Sequence, residues 1–320
     1  MMRHMSRLAR FLIAVAAALV LTSCSDGSSL PPLPDDPAST LGVAAGRPAS
    51  VRVPSDYDPN VEYPLVILLH GYSASGGVQN IYFGLSNQVT ALGFILVVPD
   101  GTVNSDGLRF WNATDACCNF DTADVDDVGY LRGLIAEAQA NYRVDPRRVY
   151  LFGHSNGGFM AHRMACEASD VITAIASLAG STYLDPAHCT PEPPVSMPQI
   201  HGTADDIILY DGVAEPVGIV ASGYPSAPET TRRSAETAGC DLDAAVAGAD
   251  LDLDDSLDGA ETSVLEYRAG CERGIDAALD LSVARWLNLP GDVRDASVKL
   301  RLDDGRLEAP VHAVIAGVRL

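Results

Sequence analysis

The chain has 320 residues, 42 acidic against 21 basic side chains, a formal charge of −21, and 47% apolar residues. That length is enough to bury one substantial core, so one folded domain is expected rather than several. The strongly acidic balance argues against nucleic acid and against electrostatic docking on anionic lipid, and mainly confers solubility.

In chain order, Arg3, Arg7 and Arg10 precede an apolar run from Phe11 to Leu21. The run is too short to span a bilayer comfortably and suits the core of a signal peptide. It ends in Leu21-Thr-Ser-Cys24, which resembles a bacterial lipobox, so residues 1–23 read as a lipoprotein signal peptide and Cys24 as the lipidated residue. Plain secretion with cleavage near Ser23 is the alternative. Losing the three arginines would move the charge from −21 to −24. Residues 24–42, rich in Ser, Pro and Asp without apolar periodicity, read as a flexible tether. The protein is thus placed outside the cell or at the envelope, touching membrane only through a lipid on Cys24.

The domain is expected from residue 43 to 278, followed by an atypical segment from 279 to 320. Around Val51 the alternation of ASVRVP predicts an edge strand, and Tyr63–Gly71 predicts a buried strand running into a glycine-rich loop. A helix is predicted from about Asn80 to Leu92, then a buried strand in FILVVPDG, then a helix over Val125–Tyr142. Arg148–Phe152 reads as a buried strand entering GHSNGG, with a helix after it. Two more apolar strands follow near Ile172–Gly180 and Pro194–Asp206. Strands alternating with helices imply an α/β fold with a mostly parallel sheet and helices on both faces. Ligands bind such sheets beyond the carboxyl ends of the strands, where the HGY, GHS and HGTAD segments all fall.

A serine between glycines at a strand-to-helix turn has the pattern of a nucleophile elbow, which makes Ser155 the candidate nucleophile. Acyl transfer also needs oxyanion donors, a base and an acid that orients it. The backbone N–H of Asn156, directly after the serine, is one expected donor, and that of Tyr72, in the loop after the first buried strand, is the other. Asp205, about fifty residues after the serine at a strand end, is the expected acid, with Asp206 the weaker candidate. His70 is expected to shape its loop rather than act as a base. His154 is expected to be structural, and His162 and His188 to lie on the surface. Trp111 and Asn112 either line an acyl pocket or serve packing. The acidic stretch Asp250–Thr262 lacks the glycine and glutamate spacing of a calcium loop and reads as solvated.

Six cysteines remain beyond Cys24, an even number in an exported chain. The preferred pairs are Cys240 with Cys271 and Cys166 with Cys189, since each brackets a segment that can fold back on itself. Cys117 and Cys118 then form a vicinal pair or stay reduced.

Taken together, LHGY, FWNATDACC, DVDDVGYL, RVYLFGHSNGGFMA, HGTADDIILYDG and the Cys240/Cys271 pair resemble the extracellular polyhydroxybutyrate depolymerase and feruloyl esterase family of α/β-hydrolases, related to carbohydrate esterase family 1. The resemblance runs from about Arg47 to Ala278. It implies a secreted serine esterase acting on ester-linked polymers or oligomers without metal or organic cofactor. It also implies Ser155 as nucleophile, Asp205 as triad acid, and Tyr72 and Asn156 as oxyanion donors.

The resemblance breaks at the base. The family places its catalytic histidine shortly after the second cysteine of the late disulfide, yet no histidine occurs between Cys271 and Asp295. After Asp205 the chain contains only His312. Three accounts stand open: His312 closes the triad from an unusual position, a displaced reading frame near Ala278 has replaced the family's last strand and helix, or the chain is a silent relative that binds an ester or carbohydrate ligand.

Overall fold

The computed structural model describes residues 33, 38–218, 220–252 and 259–271, together with the backbone of 278–283, 302–303 and 306–307. The signal segment, Cys24, most of the tether and His312 lie outside the described residues.

Ten strands form one sheet: β1 (Thr40–Leu41), β2 (Ala49–Arg52), β3 (Tyr63–Leu69), β4 (Ile95–Val98), then, after a small separate hairpin of β5 (Thr102–Val103) and β6 (Arg109–Phe110), β7 (Val144–His154), β8 (Ala174–Leu178), β9 (Met197–Gly202), β10 (Val246–Ala247), β11 (Thr262–Tyr267) and β12 (Ala278–Val283). Their spatial order is β1-β2-β4-β3-β7-β8-β9-β12-β11-β10. The six strands from β4 to β12 are parallel, and antiparallel pairs close both edges. This is the doubly wound pattern expected. The expected edge strand is β2, which alternates buried and exposed residues, but the short β1 pairs outside it.

The central strands are continuous apolar runs because both faces of the sheet are covered. Strand β3 shows how. Leu65, Ile67 and Leu69 enter one hydrophobic cluster with Trp111, Leu131, Leu134, Phe159 and Met160. Val66 and Leu68 enter a second with Phe83, Val89, Phe94, Phe152 and Ile200. The two-residue period of a strand thus supplies both cores from one segment.

Helices α1 (Gly76–Phe83), α2 (Val89–Leu92), α3 (Asp127–Asn141), α4 (Asn156–Glu167) and α5 (Ala227–Thr237) cover the sheet. The single helix expected over 80–92 is two. Gly84, at φ 65°, ends α1 in the left-handed conformation, a 3-10 turn follows, and Gly93, at φ 64°, ends α2. Helix α5 was not expected, because its sequence is polar. Its start carries a legible signal all the same: Ser226 Oγ accepts from the N–H of Glu229 at 3.2 Å, in an S-x-x-E pattern with Pro228 in the first turn.

The structure pairs Cys166 with Cys189 and Cys240 with Cys271, the preferred pairs. Cys117 and Cys118 pair with each other across a cis peptide bond.

Candidate active site

Strand β7 ends at His154 and α4 begins at Asn156, so the chain reverses at Ser155 alone. Its backbone sits at φ 53°, ψ −120°, a region L-residues rarely enter. Hydrogen bonds hold it there: Ser155 N–H donates to Leu178 O at 2.8 Å, and Phe159 N–H donates to Ser155 O at 3.0 Å. The turn is possible because its neighbours lack side chains. A Cβ on Gly153 would stand 2.0 Å from Gly157 O, and one on Gly157 would stand 2.3 Å from Leu69 O.

The loop after β3 abuts this turn. An ideal Cβ on Gly71 would be 3.4 Å from Ser155 Cβ, which brings the Tyr72 backbone beside the serine. Neither the Tyr72 N–H nor the Asn156 N–H has an acceptor among the described residues. The Tyr72 ring packs edge-on against Phe120, with centroids 5.2 Å apart, and its hydroxyl accepts from Asn104 Nδ2 at 3.0 Å.

His70 is fully buried, and its bonds fix its tautomer. Gly101 N–H donates to Nε2 at 2.8 Å, so Nε2 is the acceptor and Nδ1–H donates to Gly71 O at 2.7 Å. Burial holds its pKa below the usual value. With both nitrogens engaged, it shapes the loop. Behind the elbow, Gln79 Oε1 accepts from Gly71 N–H at 3.0 Å and lies 3.3 Å from His154 Nδ1. His154 stacks on Tyr82, and burial lowers its pKa to about 4.

Asp205 follows β9 and is buried. Its Oδ1 accepts from the N–H groups of Ile207 at 2.9 Å and Ile208 at 3.0 Å, while Oδ2 stands 3.7 Å from His201 Nε2. The His201 Nε2–H donates to Ile208 O at 2.7 Å, and burial depresses its pKa. Asp205 is also the charge that partly opposes the depression of His154, which places its field at the elbow. Strand β12 ends at this same rim, with Val283 opposite Gly202.

His188 is exposed, as expected, 3.7 Å from Asp115 Oδ2. His162 is not on the surface. It lies on the buried face of α4, 3% exposed, with Nε2–H donating to Gln199 Oε1 at 3.1 Å, and burial lowers its pKa to about 4. Trp111 is fully buried, and Asn112 donates through Nδ2 to Val125 O at 2.8 Å. A cavity of about 230 Å³ beside α4, lined by His162, Tyr183, Met197 and Arg233 among others, includes none of Ser155, Tyr72, Asn156 and Asp205. Among the described residues no group of acidic, histidine or cysteine side chains forms a metal cluster.

Gln79, Gln199 and His201 were not singled out from sequence. Only the HG preceding TAD marked His201, through its four-residue spacing to Asp205; nothing in the pattern marked the two glutamines.

Histidines with depressed pKa values make stability pH-dependent. Between pH 6.5 and about 4 the unfolded chain binds protons at His154 and His162 that the folded chain excludes. Stability is therefore complete above pH 6.5 and lost as pH falls, by up to about 1.4 kcal/mol per pH unit for each histidine. Calorimetry should show the melting temperature dropping from pH 7 to pH 5, less steeply in His162→Gln; a flat profile would contradict the burial of these rings.

Among proteins of known family, the model described as "Putative esterase" matches residues 44–204. The chain is 32% identical over 174 residues to "Putative esterase NocK" of Nocardia uniformis subsp. tsuyamanensis, covering 54% of this chain and 49% of that protein. It is 31% identical over 171 residues to feruloyl esterase B of Piromyces equi, covering 52% of this chain and 30% of that protein. The chain spans about half the length of the first relative and less than a third of the second. The solved acetyl xylan esterase from Aspergillus awamori aligns with 78% of this chain and 92% of its own, with a TM-score of 0.53 at 13% identity, a likeness of fold. The sheet order, the strained serine turn and this superposition make the fold an α/β-hydrolase, and the chain belongs to the Esterase family.

Proposed function

We propose that this protein is an exported serine carboxylic-ester hydrolase that cleaves hydroxyalkanoate polyesters or feruloyl- and acetyl-type esters through an acyl-enzyme. One observation carries the reading: a serine held in a strained turn, half-buried, beside two backbone N–H groups without acceptors among the described residues. Ser155 Oγ attacks the acyl carbon, its proton passes to the base, and the carbonyl oxygen becomes an oxyanion facing the Tyr72 and Asn156 N–H groups. Collapse expels the alcohol, which takes the proton, and water repeats the sequence to release the acid. Asp205 has Oδ1 saturated by backbone donors and Oδ2 left to orient an imidazole. The names of relatives cover both ester classes, one being a feruloyl esterase and another a poly(3-hydroxybutyrate) depolymerase.

His312 is the proposed base. Strand β12 runs parallel to β9 and ends with Val283 opposite Gly202, at the rim that holds Asp205, which is the side where a base is needed. Residues 284–290 contain no histidine, which supports the second reading, a relative that retains the pocket and binds an ester or carbohydrate ligand at the envelope. Hydrolysis of p-nitrophenyl butyrate and of methyl ferulate by the purified protein separates the two. A His312→Ala variant slower by about 10³-fold or more identifies the base; an unchanged rate removes His312 from the mechanism, and an inactive parent leaves ligand binding. Export and anchoring rest on the arginine-flanked apolar segment and the lipobox-like Cys24. Fractionation of cells expressing the same protein should find it in membranes, and a Cys24→Ala variant released from them.

A further inference from the structure

The two proposed oxyanion donors belong to different segments, the loop after β3 and the first residue of α4. A hole stabilises charge only if both N–H groups stay aimed at one point. Trp111 touches both segments. Its backbone N–H donates to Asn156 Oδ1 at 2.7 Å, and its carbonyl accepts from Asn156 Nδ2 at 3.0 Å, so the Asn156 side chain is clamped at two points. Its indole Nε1–H donates to the carbonyl of His70 at 3.1 Å, two residues before Tyr72. Trp111, Asn156 and His70 are all fully buried, so water does not compete for these bonds.

The brace is itself held. The N–H of Asn112 donates to Asp127 Oδ2 at 2.6 Å, and the Arg47 guanidinium pairs with Asp127 Oδ1 at 2.5 Å while lying 5.4 Å from the Trp111 ring centroid. A parallel tie runs from Ser73 N–H to Arg109 O at 2.8 Å, between the residue after Tyr72 and the strand that leads into Trp111. Three separate bonds from one residue therefore set the spacing of two segments that have no covalent connection nearby.

We propose that Trp111 is a positioning residue for the oxyanion hole, fixing the Tyr72 and Asn156 N–H groups relative to each other without touching substrate. This rests on the hydrolase reading of the site. Packing alone predicts a loss of stability with turnover unchanged in the molecules that remain folded; positioning predicts a loss of transition-state stabilisation at constant ground-state binding.

Trp111→Phe keeps a ring in the core and deletes the donor to His70 O. Replacement of Trp111 by 3-benzothienylalanine deletes the same N–H in an isosteric ring, and serves if the phenylalanine variant fails to fold. At a temperature where circular dichroism shows a folded protein, kcat for p-nitrophenyl butyrate should fall about 10- to 30-fold with KM within 2-fold. The affinity for butylboronic acid, which forms a tetrahedral adduct on the serine, should fall by a similar factor in calorimetry. Folded variants that keep kcat and boronic acid affinity within 2-fold of the parent would overturn the proposal. A folded parent that neither hydrolyses the ester nor binds the boronic acid would instead overturn the hydrolase reading, and the brace with it, before any variant is made.

Discussion

Ser155→Gly should eliminate ester hydrolysis and at the same time raise the melting temperature. The first effect follows from removing the nucleophile: in a serine triad the loss is at least about 10³-fold, down to what the oxyanion donors achieve alone. The second follows from the backbone. Ser155 is held at φ 53° and ψ −120°, where a Cβ costs of order 1–3 kcal/mol. Glycine removes that cost and adds roughly 0.5–1 kcal/mol of chain entropy to the unfolded state, so the net gain is about 1 kcal/mol. For a domain of this size that is a rise of about 2–4 °C. Ser155→Ala is the matched control, equally inactive but still strained. A glycine variant no more stable than the alanine variant would show that the turn is relaxed in solution, and retained hydrolysis in either would move the nucleophile elsewhere.

Gly157→Ala should be among the most damaging single-methyl additions in the protein. Its Cβ would meet Leu69 O at 2.3 Å, Leu69 C at 2.6 Å and His70 O at 2.7 Å, all backbone atoms that no rotamer change can move. Relief requires α4 to lift away from the end of β3. That displacement separates Asn156 from the loop bearing Tyr72, so stability and turnover fall together. The cost should reach or exceed the upper end of overpacking effects, about 3 kcal/mol, with activity reduced about 100-fold or more. Gly133→Ala on α3 is the contrasting case: its Cβ would meet nothing within 4 Å beyond its own stretch of helix backbone, and the variant should be stabilised by up to about 1 kcal/mol. Urea titrations of the two variants test the pair. Equal midpoints would mean that the close approach at the elbow does not exist.

The parts of the fold that sequence made legible are those whose physics is local. The apolar runs of β3, β4, β7, β8 and β9 are short, continuous and buried, and their length, their β-branched residues and the Gly or Pro that bounds several of them separate them from buried helix. The serine turn was legible because glycine is needed on both sides of it. The expected helix over 80–92 failed because Gly84 and Gly93 act as left-handed stops, which composition alone does not separate from tolerated glycines. His162 was misplaced for a different reason. Its helix is amphipathic in the ordinary sense, but α4 packs so closely on the sheet that a polar residue on its inner face is buried and finds Gln199 two strands away, on β9. Such long-range partners are invisible until the sheet order is known. The Trp111 brace belongs to the same class, because its bonds join residues 41 and 45 positions apart.

The Cys166–Cys189 bond joins the last turn of α4 to the segment that leads into β9. The helix that starts at the serine and the strand that delivers Asp205 are thereby fastened at their far ends, so each is referenced to the other by covalent chain as well as by packing. Such a fastening forms where thiols are oxidised and stays open where they are kept reduced. The geometry between serine and carboxylate consequently gains a covalent tie only where the two thiols are oxidised, and rests on packing alone where they are reduced.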